Sequence, residues 1–456
     1  MAPCDPAPVP RILTQHDLSR HSVNRLALLS LTLLLAGTGA LMGQGPQRVT
    51  LAEALALAAR VDPAVVQAQG TLRTAGIGVR AAKGAYIPSL SGNASGGSSF
   101  SEGPARTDPI TGQVVAGDTK SQSVSLGLSS ELDLFAGFRR TGDVRSAQGR
   151  EDAAQANLDD AVAQATLRTS NEFFGALAYR ELVAVRQEGV RRAEEQLAVA
   201  VAKLQTRAAN VADSLRAVVQ LGEARLALAS ELARLAGAEA ALARRLGLPG
   251  RVAAVSDSSL AVPGPALDTT AIYTAAATDA PAVRRAESNV RTADGAVTAA
   301  KAAYFPRLAL SGDIGMAGNN RDDYTLYGNR RLGLGLTWPL FSRFQREQQV
   351  SDREATRDTE LARLNDVRRQ VASDLATQFA NLDAARERIA LATLSVDAAR
   401  ADVAVAFERY RLGSIGIVDL NQSQAGLTRA EEQMVNARFE YLRAKAEIEA
   451  ILGRRL

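Results

Sequence analysis

The chain has 456 residues, with 53 basic and 49 acidic side chains, and a net charge of +4 is too balanced to indicate nucleic-acid binding. Cys4, His16 and His21 are its only cysteine and histidines, so the sequence beyond residue 21 excludes Cys–His and Ser–His nucleophiles, His general bases, Cys/His zinc sites and disulfides. Aromatic residues make up only 4% while alanine is abundant, which favours closely approaching helices over a bulky core.

Residues 1–43 have the pattern of a secretory signal peptide. Arg11, Arg20 and Arg25 precede an apolar run over Leu26–Ala36, and small residues follow it. A run of about 11 apolar residues suits a signal peptide and is too short for a transmembrane helix, which needs about 20. The alternative is an N-terminal helix of a cytosolic protein. No cysteine follows the run, so we expect an exported chain that is not lipid-anchored.

The remainder of the chain contains an internal repeat, which predicts two copies of one structural unit. The motif A-Y-x-P-x-L at 85–90 recurs at 303–308, and L-F-x-x-F at 134–138 recurs at 340–344. The first displacement is 218 residues and the second is 206, so the first copy carries 12 additional residues between its two strands. The predicted divisions are a signal peptide (1–43), a first repeat (44–248), a linker or equatorial segment (249–268) and a second repeat (269–456).

Each copy is predicted to begin with a helical segment, over Thr50–Gly84 and Thr269–Ala303, and to continue with two strands. The strands alternate apolar and polar residues over about 11 positions, as Leu332, Leu334 and Leu336 illustrate, so one face of each strand is apolar. The pattern fits a soluble β-sandwich with that face toward a core. It also fits a transmembrane β-barrel with that face toward lipid.

The barrel is favoured because the strand lengths match tilted membrane strands and because aromatic residues collect just beyond the strand ends. The predicted membrane-interface aromatics are Phe135, Phe138, Trp338, Phe341 and Phe344. Four strands cannot close a barrel, for which about eight are the practical minimum. A barrel would therefore be assembled from several chains.

Long helices are predicted after each strand pair, since no proline occurs over 141–248 or after Pro339. An apolar residue recurs every seven positions at Leu375, Leu382, Ile389, Val396, Val403 and Tyr410. This spacing predicts left-handed supercoiling, and alanines beside it allow close helix approach. A helix of about 60 residues would be about 90 Å long. The returning helix predicted over 211–247, stacked on the helix over 63–84, would match that length.

The two repeated motifs, together with Y-R-L-G-S-I-G-I-V-D-L at 410–420, resemble the TolC family of outer-membrane efflux and secretion channels. The resemblance implies a mixed α and β fold in which four strands per chain form a trimeric 12-stranded outer-membrane β-barrel. This barrel would continue into a long periplasmic α-helical barrel. The implied function is the passive exit duct of a tripartite efflux pump or type I secretion system. Its partners would be two further copies, outer-membrane lipid, a periplasmic adaptor (membrane fusion) protein that opens its tip, and an inner-membrane transporter.

The resemblance also implies roles for residues at the tips of the two helical hairpins. Asp419 matches an acidic position that rings the channel constriction, and Gln422 stands in place of a companion acid. Tyr410 matches a gating tyrosine with Asp213 as its carboxylate partner, whereas Ile415 replaces the expected gating arginine. The expected adaptor-contacting residues are Arg207, Ala208, Asn210, Leu412, Gly413, Ser414 and Gly416, with Arg207 standing where the second repeat has Gly413. For Asp213 and Asp419 the alternative role is helix capping.

Two other functions compete with the channel. One is a periplasmic coiled-coil structural or adaptor protein without a membrane pore. The other is a carboxylate-only enzyme such as a glycosidase, which needs two acids converging in one pocket. The repeat-related acids, Asp213 and Asp419, lie at helix tips instead. We therefore expect no catalytic residues, no metal site and no cofactor.

Overall fold

The computed structural model describes residues 46–107, 109–110, 112–115, 119–207, 210–256, 260, 268–319 and 325–456. Val49–Leu456 form one compact unit, and the predicted signal peptide lies outside the described residues. The helices are α1 (Leu51–Val61), α2 (Pro63–Gly84), α3 (Arg139–Gln205), α4 (Val211–Leu246), α5 (Thr269–Asp279), α6 (Pro281–Lys301), α7 (Gln345–Arg411) and α8 (Ile417–Leu452). The strands are β1 (Gln47–Val49), β2 (Ser89–Ser101), β3 (Arg106–Thr107), β4 (Val114–Val115), β5 (Thr119–Ala136), β6 (Val252–Ala254), β7 (Arg307–Asn319) and β8 (Tyr327–Thr337).

The two predicted repeats have matching elements. Helices α3 and α7 each have 67 residues, and α4 and α8 each have 36. The short helices α1 and α5 each have 11. The additional residues of the first copy hold the β3–β4 hairpin, whose strands pair antiparallel. The fold is therefore the expected mixed α and β arrangement of two internal repeats.

The first helical segment of each repeat consists of two helices, which meet at Asp62 in the first repeat and at Ala280 in the second. Asp62 ends α1 and caps α2 by accepting a hydrogen bond from the Ala64 N–H at 2.8 Å. Pro63 occupies the first turn of α2, and Pro281 does the same in α6. Proline is tolerated in a first turn but breaks a continuous helix, because it lacks an N–H and clashes with the preceding turn.

The main sheet has the antiparallel order β2-β5-β7-β8. Its register sets Leu128 opposite Ile314 and Leu310 opposite Leu334, so the apolar parity of neighbouring strands falls on one face. On the other face the hydroxyls of Ser91 and Ser129 are 2.7 Å apart. Strand β5 has 18 residues, longer than the sequence pattern suggested. Its register shifts between residues 133 and 135, which marks a bulge.

The long helices follow the predicted seven-residue spacing. Leu375, Leu382, Ile389 and Val396 are buried along α7, and Val403 is half-buried. At 67 residues each, α3 and α7 are about 100 Å long. No helix in the described part of the chain is both long enough and apolar enough to cross a membrane.

The larger core lies between the long hairpins and the short elements α1, α5 and β6. Phe173, Leu242, Leu375 and Ile448 are among its fully buried side chains. Beyond it, α3 and α6 approach so closely that only glycine fits at the contact. A Cβ added to Gly295 would lie 2.4 Å from the backbone N of Ser146. Small residues thus set the distance between these helices, as the alanine-rich composition suggested.

The hairpin tips as a candidate channel gate

Each hairpin tip reverses the chain in about five residues, between Gln205 and Val211 in the first repeat and between Arg411 and Ile417 in the second. Arg207 has a φ of 59° and Gly413 has a φ of 79°, so both repeats use a left-handed residue at the same place. A side chain in this conformation costs about 1–2 kcal/mol, which explains why glycine suits the position better than arginine. Ala208, one of the predicted adaptor contacts, lies outside the described residues.

The caps of the returning helices differ between the two tips. Asn210 caps α4 by accepting a hydrogen bond from the Ala212 N–H at 3.3 Å. At the second tip the Gly416 N–H donates to Asp419 Oδ2 at 3.3 Å. Capping therefore accounts for a contact of Asp419, while the Asp213 carboxylate is 3.5 Å from Arg216. Asp213 and Asp419 each lie in the first turn of a returning helix, near its positive end, where a carboxylate is stabilised.

Tyr410 is the centre of a small apolar cluster that joins the two tips. It is 2% exposed and lies in a cluster with Ala200, Ala217, Ala406, Ile417 and Leu420. Ile415 is half-buried against this cluster. The side chain at the position of the expected arginine thus contributes apolar packing and no charge to the tip.

The hydroxyl of Tyr410 is buried and has no hydrogen-bond partner among the described residues. Burial raises the pKa of Tyr410, and the negative charge of Asp213 raises it further. The structure therefore brings Asp213 near Tyr410 without a hydrogen bond between them. A neutral tyrosine with an unpartnered hydroxyl is held by packing, and an unmade hydrogen bond of this kind costs about 1–3 kcal/mol.

Lys203, which sequence analysis did not identify, contacts Tyr410 from the other hairpin. Its Nζ lies 4.3 Å from the centroid of the tyrosine ring and donates a hydrogen bond to the Tyr410 carbonyl oxygen. The two residues are 207 positions apart, so helical periodicity gave no signal of this contact.

Asp419 and Gln422 are both exposed on α8, so neither is used in the core of the single chain. Gln422 follows Asn421, whose Oδ1 accepts a hydrogen bond from Gln196 Nε2 at 2.6 Å across the two hairpins. In the part of the chain that the structure describes, no group of three or more His, Cys, Asp or Glu side chains could hold a metal ion. The chemistry available at the tips is therefore that of exposed carboxylate and amide oxygens.

The predicted interface aromatics lie where the sheet meets the helices, and all are partly or largely exposed. The five residues are Phe135 (36% exposed), Phe138 (59%), Trp338 (56%), Phe341 (74%) and Phe344 (70%). Phe138 and Phe344 precede α3 and α7 in left-handed conformation, each in edge contact with a neighbouring phenylalanine. The guanidinium of Arg140 stacks on Tyr86 in the first repeat, as Arg346 stacks on Tyr304 in the second.

The sequence model of the outer membrane efflux protein family matches residues 54–248 and 272–454, which together are most of the chain. The chain belongs to this family. Outer membrane efflux protein BepC of Brucella suis is 23% identical over 435 residues, which cover 94% of this chain and 90% of BepC. A structure of CusC shares the fold with a TM-score of 0.75 at 16% identity, covering 91% of this chain and 96% of the other. The CmeC outer membrane channel of Campylobacter jejuni has a TM-score of 0.73 at 16% identity, covering 88% and 85% respectively.

Family membership confirms the resemblance drawn from the repeated motifs. This efflux channel lies in the outer membrane and extends into the periplasm, and its function is that of an outer-membrane channel in efflux. The comparisons give no support to a periplasmic coiled-coil protein without a pore. The relatives are channel proteins, and the exposed apolar sheet is the part of the fold that suits a membrane.

Proposed function

We propose that this chain is one subunit of a homotrimeric, passive exit duct. The observation that carries the proposal is the sheet, in which β2 and β8 are open edges and the apolar face is exposed. Leu90 is 76% exposed on β2 and Leu332 is 80% exposed on β8. Unpaired strand edges and exposed apolar faces are normally covered by a partner chain or by lipid. Three copies would supply twelve strands and leave no edge, with the apolar face toward lipid.

Two exposed apolar seams near the tips support the same assembly. On α7 the seam consists of Leu391, Leu394, Ala398, Ala401 and Val405, spaced alternately by three and four residues. It continues past the exposed Glu408 to Leu412, just beyond the end of the helix. On α4 it consists of Leu215, Val219, Gly222, Leu226, Ala229 and Ala233. Both seams occupy the part of the hairpin next to its tip, and α4 and α7 run in opposite directions there. We expect α4 of one copy to pack against α7 of the next as an antiparallel coiled coil.

The gate of the duct is proposed at the hairpin tips. Three copies of Asp419 would form a carboxylate ring that favours and binds cations. Gln422, one turn later, is uncharged, so the negative charge at the constriction comes from the Asp419 ring alone. Tyr410 and Asp213 belong to the same gate, in which the tyrosine is held by packing. Because Asp419 and Gln422 are exposed in the single chain, both are available to a lumen.

A periplasmic adaptor protein is proposed to bind the tips and open them, with an inner-membrane transporter supplying the energy. The proposed adaptor contacts are Arg207, Ala208, Asn210, Leu412, Gly413, Ser414 and Gly416. The duct itself would perform no catalysis. The described members of this set are exposed, as a docking surface requires.

The proposed membrane boundary runs through the aromatics at the strand ends, with outer-membrane lipid as a further partner. We also propose residues 44–248 and 269–456 as the two structural repeats and 249–268 as the equatorial linker. The equal lengths of α3 and α7 support that division. In the linker, β6 is buried beside the hairpins, and the carbonyl of Ala254 accepts a 2.5 Å hydrogen bond from Arg180.

The proposal is tested by extracting the channel from outer-membrane fractions in detergent. We expect a heat-modifiable trimer on gels and after chemical cross-linking, and single-channel conductance in planar bilayers. Val405→Glu places a charge in the α7 seam and should reduce the trimer several-fold. Ala404→Glu adds the same charge one residue away, on an exposed surface outside the seam, and should leave the trimer intact. A water-soluble monomer without conductance would contradict the proposal.

A further inference from the structure

Lys203 of α3 contacts the C-terminal end of α7 through Tyr410. It lies half-buried in the last turn of α3. Its ammonium sits 4.3 Å from the Tyr410 ring centroid and donates to the carbonyl oxygen of the same residue. That carbonyl also accepts a hydrogen bond from the Gly413 N–H at 3.0 Å, so it belongs to the turn that ends α7.

Two attractions act on this one ammonium group, and its surroundings strengthen both. The ring face of Tyr410 is negative and attracts a cation. The last carbonyls of α7 carry the negative end of the helix dipole and lack partners within the helix. The apolar cluster around Tyr410 excludes water, which strengthens both effects. Among the described residues no ion pair joins Lys203 to a carboxylate, so its charge is directed at the end of α7.

The repeat shows that this contact is made in one direction only. The displacement of 206 residues pairs Lys203 with Arg409 and pairs Tyr410 with Leu204. Arg409 is exposed, and its repeat-related target is a leucine without a ring face for a cation. Among the described residues the cation contact is therefore made at Lys203 and Tyr410, and the repeat-related pair Arg409 and Leu204 makes no equivalent contact.

We propose that Lys203 is a positioning residue of the gate, which holds the α7–α8 tip in its closed position by clasping Tyr410. This proposal rests on the proposed function of the tips as a gate. Movement of the α7–α8 tip away from α3 separates the ammonium from both the ring and the carbonyl. The closed state is then stabilised by a contact within each subunit, and the contact between Lys203 and Tyr410 must break before the tip can move.

The test is single-channel recording of the full-length channel in planar bilayers. Lys203→Met keeps the apolar stem and removes the charge. We expect the ratio of open to closed time to rise about tenfold, from the loss of a cation–π contact and a helix-end contact. Lys203→Arg retains both contacts and should restore the closed behaviour. Arg409→Met removes the same charge from the repeat-related, exposed position and should leave the ratio unchanged.

The heat stability of the trimer distinguishes a role in gating from a merely structural role. Loss of the Lys203–Tyr410 contact should change the ratio of open to closed time, whereas the heat-modifiable trimer band should persist. Tyr410→Leu should produce the same opening, and the double variant with Lys203→Met should be no more open than either single variant. If the Lys203→Met variant does not assemble, the proposal is tested by Tyr410→Leu, which should by itself raise the ratio of open to closed time. Parent-like gating in either variant that assembles overturns the proposal. Absence of a pore in the parent overturns the proposed function instead.

Discussion

Replacing Gly295 with alanine tests the close approach of α3 and α6. A Cβ at this position would lie 2.4 Å from the Ser146 N and 2.8 Å from the Gly142 O, whereas real Cβ contacts essentially never fall below 3.0 Å. The atoms in the way belong to backbone, so the helices must separate. Such overpacking costs about 1–3 kcal/mol. Alanine in a helix otherwise gains about 0.5–1 kcal/mol over glycine, so we expect a net loss of up to about 2.5 kcal/mol.

The assay is the apparent midpoint of thermal unfolding, followed by circular dichroism in detergent at one fixed scan rate, because unfolding of a large assembly is irreversible. We expect the midpoint of Gly295→Ala to fall by up to about 3 °C, because the shift per kcal/mol is small for a chain of this length. Gly78→Ala is the matched control, since Gly78 lies in α2 with no atom within 4 Å of its built Cβ. It should raise the midpoint slightly. A Gly295→Ala midpoint equal to or above that of the control would refute the argument that the two backbones are in contact.

Three further predictions concern the tips and one half-buried carboxyl group. Tyr410→Phe should leave the open-to-closed ratio unchanged, since the hydroxyl has no partner among the described residues, and opening of the gate by this variant would instead favour a bond to Asp213. Asp419→Asn should weaken block of the pore by multivalent cations while retaining an acceptor for the Gly416 N–H. Asp419→Ala should also lower stability by about 0.3–1 kcal/mol, because it removes a carboxylate from the first turn of α8. Unchanged cation block in both variants would contradict the proposed carboxylate ring. Burial raises the pKa of Glu447 from its ordinary 4.5, so the folded state binds this proton more tightly and the associated stability is lost as pH rises through the raised pKa. Glu447→Gln should therefore unfold at a higher temperature than the parent near neutral pH and at the same temperature below pH 4.5, and equal midpoints at neutral pH would contradict the shift.

The architecture could be predicted largely from linear patterns. Self-similarity along the chain predicted two copies, and α3 and α7 have the same number of residues. Alternation of period two predicted which residues share a face of the sheet, because strand geometry leaves only two faces. The seven-residue spacing predicted the buried side of α7, including Leu375 and Ile389. The helix over 63–84 was also predicted from the sequence, within the longer helical segment over 50–84.

The gate could be predicted only in part. The motif at 410–420 located the second tip, and Asp419 and Tyr410 lie at it. It gave no indication that Ile415 packs into an apolar cluster, or that Lys203 reaches Tyr410 from a helix 207 residues earlier. Such contacts depend on the rotation and axial offset of two hairpins, and many combinations of these satisfy the same heptad pattern.

The sequence by itself determined the repeat, the order of the helices and strands, their apolar faces, and the family, because these depend on order and spacing along one chain. Only the tertiary structure decided how closely Gly295 approaches α3 and which cation contacts Tyr410. Those features arise where separate elements meet, and their distances follow from the packing of whole helices against one another.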